Sequence, residues 1–189
     1  MPAPVVTPLE PPYTPDIEAM LKKWMPPGAH MAPLALFRSL AKNEQLMAAM
    51  RPLGSYFLGS HSPLSIRLRE LLILRSCLLS NCEYEWGVHA TAFAAAAQLT
   101  SKDVDALSKG SWDDIRWTPA EQMALKACDQ LIATANMDAD TRLNLRTYYN
   151  EAEILAIIAL ISWYRLISCL ANTVCGPLEP WAARFPATT

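Results

Sequence analysis

The segment Glu70–His89, ELLILRSCLLSNCEYEWGVH, decides how this chain is read. It places Cys82, Glu85 and His89 at offsets 0, 3 and 7, which stacks the three side chains on one face of a helix. A thiol, a carboxylate and an imidazole in one row are parts for acid/base and nucleophilic chemistry. Glu70, twelve residues before Cys82, opens an apolar helix that can bring a second carboxylate to the same place.

Around this segment the chain reads as all-α. Thr14-Pro15 starts a helix, with Thr14 as N-cap and proline at the first helical position, and Pro26-Pro27-Gly28 ends it near Trp24. Pro33–Ala41 and about Asn43–Leu58 are helical, the second with Pro52 as a kink site. Ser65–Leu79 carries Glu70, Ser80-Asn81 breaks it, and the alanine-rich helix Cys82–Gln98 follows. Capping boxes at Thr100/Asp103, Thr118/Glu121 and Asn150/Glu153 mark three more starts, the last opening a helix to about Cys175. A helix over about Asp140–Tyr149 precedes it. No segment shows sustained period-2 alternation, and no repeat of fixed period is present.

Nine of the fifteen prolines fall within the first 33 residues. Residues 1–14 are therefore expected to be an extended arm, laid on its own or a neighbouring subunit, and residues 15–189 one helical domain. A domain of this size buries roughly 70% of its unfolded surface. The chain is 52% hydrophobic and 18% charged, below the roughly 25% charged of an average soluble domain. This implies a homo-oligomer; composition does not set its number, for which a trimer or hexamer is the expectation and a dimer the alternative. A net charge of −2 without a basic patch argues against nucleic acid. The five cysteines, Cys77, Cys82, Cys128, Cys169 and Cys175, with no leader after Met1, fit free thiols in a reducing cytoplasm. The apolar run Ile154–Ile161 is too short for a membrane span and reads as a buried helix, so no membrane is expected.

Glu85 and His89, one turn apart, form either an acid/base pair or a surface pair of small worth. Trp86, Val88 and Phe93 make their helix apolar, which favours the first reading. Cys82 is either a nucleophile, its helix-start position lowering its pKa, or a buried inert thiol. Glu70 is either functional or paired with Arg67 or Arg69. Tyr84 and Trp86 line a pocket or simply pack. Arg165, in a very apolar helix, needs a buried acid or an anionic ligand, which makes it a candidate clamp for a substrate carboxylate. His30 and His61 sit in Pro/Gly-rich loops and read as structural.

These residues resemble the carboxymuconolactone decarboxylase and alkylhydroperoxidase D (AhpD)-like superfamily. The peroxidase branch carries a glutamate, then Cys-x-x-Cys twelve residues on, then a histidine four residues after the second cysteine. Here Glu70, Cys82 and His89 match, and Glu85 stands in place of the second cysteine. Glu85-Trp86-Gly87-Val88-His89 fits the Glu-x-x-x-His form of the decarboxylase branch. Leu99–Val104 is similar to the family's continuation, and Pro177–Trp181 to the tail of its longer members.

The resemblance implies an AhpD-like helical bundle without metal or organic cofactor. A peroxidase cycle needs two thiols that close into a disulfide, and Cys77 reaches Cys82 only if the Ser80-Asn81 break brings it round. The expectation is therefore cofactor-free acid/base chemistry, a lyase or isomerase acting on a small carbonyl or carboxylate compound. His89 would be the acid/base, Glu85 and Glu70 its partners, and Cys82 a pocket residue. The rivals are a thiol-dependent hydroperoxide reductase using Cys82 and a non-catalytic ligand-binding or scaffold protein. A metal held by Glu70, Glu85 and His89 is a weaker thought, which the resemblance does not support.

Overall fold

The structure, a computed structural model, describes residues 5–25 and 31–186. Residues 1–4 of the arm, the Pro26-Pro27-Gly28 stop and His30 lie outside them. Among the described residues there are nine helices and no strand: α1 (Pro15–Trp24), α2 (Ala35–Leu40), α3 (Glu44–Leu58), α4 (Ile66–Leu79), α5 (Glu83–Ala92), α6 (Ser101–Lys109), α7 (Pro119–Thr134), α8 (Ala139–Tyr148) and α9 (Glu151–Val174). The local signals act as read. Thr14 caps α1, and all three capping boxes close, each polar side chain accepting from a backbone N–H while the acid three residues on accepts in return. Pro52 sits inside an unbroken α3.

One boundary differs. The expected helix Cys82–Gln98 ends at Ala92. Residues 93–98 continue as separate turns, closed by left-handed Gln98 (φ 54°) with the Leu99 N–H bonded to the Ala94 carbonyl at 2.9 Å. Arg67 then caps the Gln98 carbonyl at 3.2 Å. A run of alanines carries no side chain that would anchor the last turns, so a tertiary cap sets the end.

Helix α4 is the centre. Every residue from Leu68 to Cys77 is buried, because α5, α6, α7 and α9 pack around it. Polar groups in such a place need partners. Arg75 makes a two-pronged pair with Asp129 (both contacts 2.7 Å) and donates to the Leu107 and Gly110 carbonyls at 2.8 and 3.2 Å. The long α9 meets the length and composition of a membrane span. Half of its most apolar window is nevertheless buried in the protein's own core, on the stripe Ile157, Leu160, Ile161, Tyr164 and Ser168.

At the other end, residues 5–14 run extended against α2, with Leu9 and Arg38 exchanging bonds of 3.2 and 3.0 Å. After α9 the chain turns back as a strap, residues 177–186, across α5. Glu179 Oε1 accepts from the Tyr84 hydroxyl at 2.5 Å and from the Ala35 N–H at 2.9 Å. The Ala183 N–H donates to Thr91 and the Phe185 N–H to Glu83. Gly87 makes the crossing possible, since a Cβ there would collide with the Ala183 carbonyl oxygen.

Candidate active site

Three helices bring four polar side chains together in a nearly dry interior. Glu70 comes from α4, Glu85 and His89 from α5, and Tyr164 from α9. Their residues are 0%, 6%, 3% and 3% exposed. Glu70 Oε2 lies 2.7 Å from His89 Nδ1, and its Oε1 accepts from Arg69 Nε at 2.8 Å. Arg69 also donates to the Leu58 carbonyl at 3.2 Å. On the far side of the ring, His89 Nε2 is 3.0 Å from the Tyr164 hydroxyl and 3.9 Å from Glu85 Oε2.

Burial alone would raise the Glu70 carboxyl, but His89 and Arg69 outweigh it and hold Glu70 below its ordinary value. Glu70 is thus a carboxylate, which accepts the proton on Nδ1. That leaves the Nε2 lone pair toward Tyr164, whose hydroxyl donates to it. Burial pushes the Tyr164 hydroxyl well up, so it stays protonated.

Glu85 is the opposite case. Its Oε1 is buried without a partner, and burial raises its carboxyl above the usual 4.5, with nearby Glu179 adding to the rise against the pull of His89. Two carboxyls around one imidazole are therefore shifted in opposite directions by their surroundings, Glu70 down and Glu85 up. The sign for stability follows for each. A raised folded value means that Glu85 supports the fold fully below pH 4.5 and loses that support as pH rises through the raised value. Glu70, depressed, supports the fold above its ordinary range and loses it as pH falls through the depressed value. Glu85→Gln, which mimics the neutral acid, is expected to match wild type in urea midpoint near pH 4. It should become progressively more stable than wild type as pH rises.

Cys82 sits at the start of α5, where Asn81 (φ 49°) ends α4 in a Schellman turn. The Cys82 N–H bonds to the Cys77 carbonyl at 2.8 Å and the Asn81 N–H to the Leu78 carbonyl at 2.9 Å. The turn thus joins the backbones of Cys77 and Cys82, and both thiols are free and buried. The expected lowering of the Cys82 thiol does not occur. Burial outweighs the helix-start N–H groups of Tyr84 and Glu85, and Glu85 itself adds to the rise, so Cys82 is pushed up to about 11. Burial also pushes Cys77 well up.

The remaining candidates lie elsewhere. Tyr84 bonds to the strap. Trp86 packs edge-on against Phe185, with ring centres 5.3 Å apart. It also lines a groove of about 520 Å³ with Ala90, Ala94, Leu99, Val104 and Arg184, and none of Glu70, Glu85 and His89 reaches that groove. Arg165 is corrected: it is exposed and donates to Ser80 Oγ at 3.1 Å, because it falls on the outward side of α9. The buried cation at the site is Arg69. Neither Arg69 as the site's cation nor Tyr164 was picked out from sequence. Tyr164 had a signal, since a tyrosine on the inward stripe of an apolar helix needs a partner for its hydroxyl. Among the described residues, no three His, Cys, Asp or Glu side chains group as metal ligands would.

The sequence model of the carboxymuconolactone decarboxylase family matches residues 44–130, which include Glu70, Cys82, Glu85 and His89. Over that segment, which carries the candidate site, the chain matches the carboxymuconolactone decarboxylase family. Solved structures share the superfamily's all-helical fold along nearly the whole chain. An uncharacterised peroxidase-related protein from Silicibacter sp. TM1040 superposes with a TM-score of 0.79 at 15% identity, covering 98% of this chain and 99% of its own. The AhpD-core peroxidase-related protein from Ralstonia eutropha JMP134 gives 0.77 at 14% identity, covering 93% of each chain. A cysteine-to-alanine variant of the debrominase Bmp8 in complex with 2,3,4-tribromopyrrole gives 0.77 at 18% identity, covering 94% of this chain and 92% of its own. At these identities the likeness speaks for the fold alone. No curated protein sequence matches the chain.

Proposed function

We propose that this protein is an enzyme of acid/base type, a lyase or isomerase acting on a small carbonyl or carboxylate compound, with His89 as the proton-transfer group. The observation that carries this reading is the hydrogen-bonded chain Arg69–Glu70–His89–Tyr164, with the buried Glu85 carboxyl, raised above its ordinary value, beside the same imidazole. Glu70 fixes the tautomer and supports the imidazolium that forms when Nε2 takes a proton from a carbon next to a carbonyl. Glu85, whose raised carboxyl favours the protonated form, can hand its proton to the oxygen where charge gathers; reprotonation from His89 at another carbon, with the oxygen returning its proton to Glu85, completes an isomerisation. In a decarboxylation the carbon–carboxylate bond supplies the electron pair, and the same acid delivers the proton. Tyr164 holds the Nε2 lone pair toward the reacting face until substrate displaces it.

The thiol-dependent alternative requires a thiolate, and a thiol near 11 is only about one part in 10⁴ ionised at pH 7. The two readings separate when the purified protein is offered small lactones and β-keto acids, with carbon dioxide and solvent-deuterium uptake measured, and hydroperoxides with and without added thiol. Turnover in the first group, with no thiol-dependent peroxide loss, is expected. The reverse pattern overturns the proposal.

The working form we propose is a homo-oligomer. The outer side of α9 leaves Leu155 and Leu166 at 68% and 46% exposed, and Leu143 on α8 at 70%. A second copy covering such surface would bury more than about 2,000 Å² in total. Sedimentation is expected to show an oligomer at micromolar concentration, and a monomer there would refute it.

A further inference from the structure

The His89 imidazole has two aromatic neighbours. Tyr164 meets it edge-on, with ring centres 5.1 Å apart and planes at 86°. Phe93 lies almost parallel to it, at 4.9 Å and 25°. The two neighbours differ in exposure. Tyr164, like Glu70 and Glu85, is buried, whereas Phe93 is half-buried and belongs to the solvent side of the cluster. The Arg69 guanidinium stands 6.0 Å from the centre of the Phe93 ring, within cation–π reach. Phe93 is also the residue at which α5 stops. Its N–H bonds back to the His89 carbonyl at 3.0 Å, and the chain beyond it runs in short turns rather than helix. Its side chain therefore lies on the edge of the packed interior.

A ring that stacks on the proton-transfer group, borders a buried guanidinium and faces water occupies the place a substrate needs. We infer that Phe93 is the gate to His89, and that its ring marks a flat slot in which a planar, unsaturated substrate ring stacks on the imidazole when Phe93 swings out. The inference rests on the reading of His89 as the reacting group and adds the shape of its substrate. A planar ring takes over both contacts that Phe93 gives up, the face-to-face packing on the imidazole and the electrostatic attraction of its face for the Arg69 guanidinium. A saturated ring of equal size and charge takes over neither. Its out-of-plane hydrogens hold it off the imidazole, and it has no π face.

The test reads access and binding without turnover, so its failure is distinct from failure of the acid/base proposal. Diethyl pyrocarbonate acylates accessible imidazoles, and exposed His61 serves as the internal standard. In wild type, His89 should react far more slowly than His61. In Phe93→Ala the His89 rate should rise at least about 10-fold while that of His61 stays unchanged, and Phe93→Leu, which keeps more of the bulk, should fall between. Benzoate and cyclohexanecarboxylate are the matched probes, flat and puckered with the same charge. Benzoate should slow His89 acylation in Phe93→Ala, and in an NMR titration should bind at least about 10-fold more tightly than to wild type. Cyclohexanecarboxylate should do neither. Unchanged His89 reactivity in both variants, with their native melting transitions retained, overturns the gate. Equal protection by the two acids, or by neither, overturns the flat slot.

Discussion

Replacing His89 by alanine is expected to lower kcat/KM by about 10²–10⁴-fold, the usual contribution of a positioned proton-transfer group. The physical case rests on its surroundings. Nδ1 is committed to the Glu70 carboxylate at 2.7 Å, so Nε2 is the nitrogen left to exchange a proton. Glu85→Gln should fall by a similar order, because the amide keeps the shape of the neutral acid and has no proton to give. Cys82→Ser is expected to keep a substantial part of the activity, since the thiol is buried and pushed up to about 11. Steady-state kinetics on the three variants checks the order. A dead Cys82→Ser beside an active His89→Ala would transfer the chemistry to the thiol and end the acid/base reading.

The second large effect is on stability. Glu70→Ala is expected to cost about 3–5 kcal/mol, because it strips the carboxylate from a buried guanidinium and leaves Arg69 with the Leu58 carbonyl as its hydrogen-bond acceptor at 3.2 Å. For a chain of this length that corresponds to a fall in melting temperature of roughly 10 °C. Removing both charges together, in Arg69→Met with Glu70→Met, should recover most of the loss, since the penalty comes from the stranded charge rather than from a missing attraction. Urea unfolding of the two singles and the double closes the cycle. If the double variant is as unstable as the sum of the singles, the two residues act independently and Glu70 is not the counter-charge of Arg69.

Local rules were legible because they act over three or four residues. Thr100/Asp103, Thr118/Glu121 and Asn150/Glu153 each satisfy a helix start with their own side chains, whatever packs nearby. The end of α5 was not legible in the same way. Ala94–Ala97 favours helix, and the chain leaves it because Gln98 turns left-handed and Arg67, 31 residues away in sequence, takes its carbonyl. Arg165 misled for a related reason. An arginine within an apolar helix suggests a buried charge, but its phase on α9 faces outward, while Arg69, among charged neighbours on α4, faces in.

The sequence by itself determined the helical class, most helix starts, the family match of the segment that carries the site, and the placing of Glu85 and His89 one turn apart. Each of these depends on residue spacing along one segment or on motif identity. Only the tertiary structure decided what the site is made of and what state its groups are in. Tyr164 reaches His89 from 75 residues away, and Glu70 from 19. The protonation of Glu70, Glu85 and Cys82 follows from how much water each has lost and which charges face it. A helix start lowers a thiol when solvent is near. Buried behind α4 and α9, the same thiol goes up, because the loss of hydration exceeds what two backbone N–H groups return.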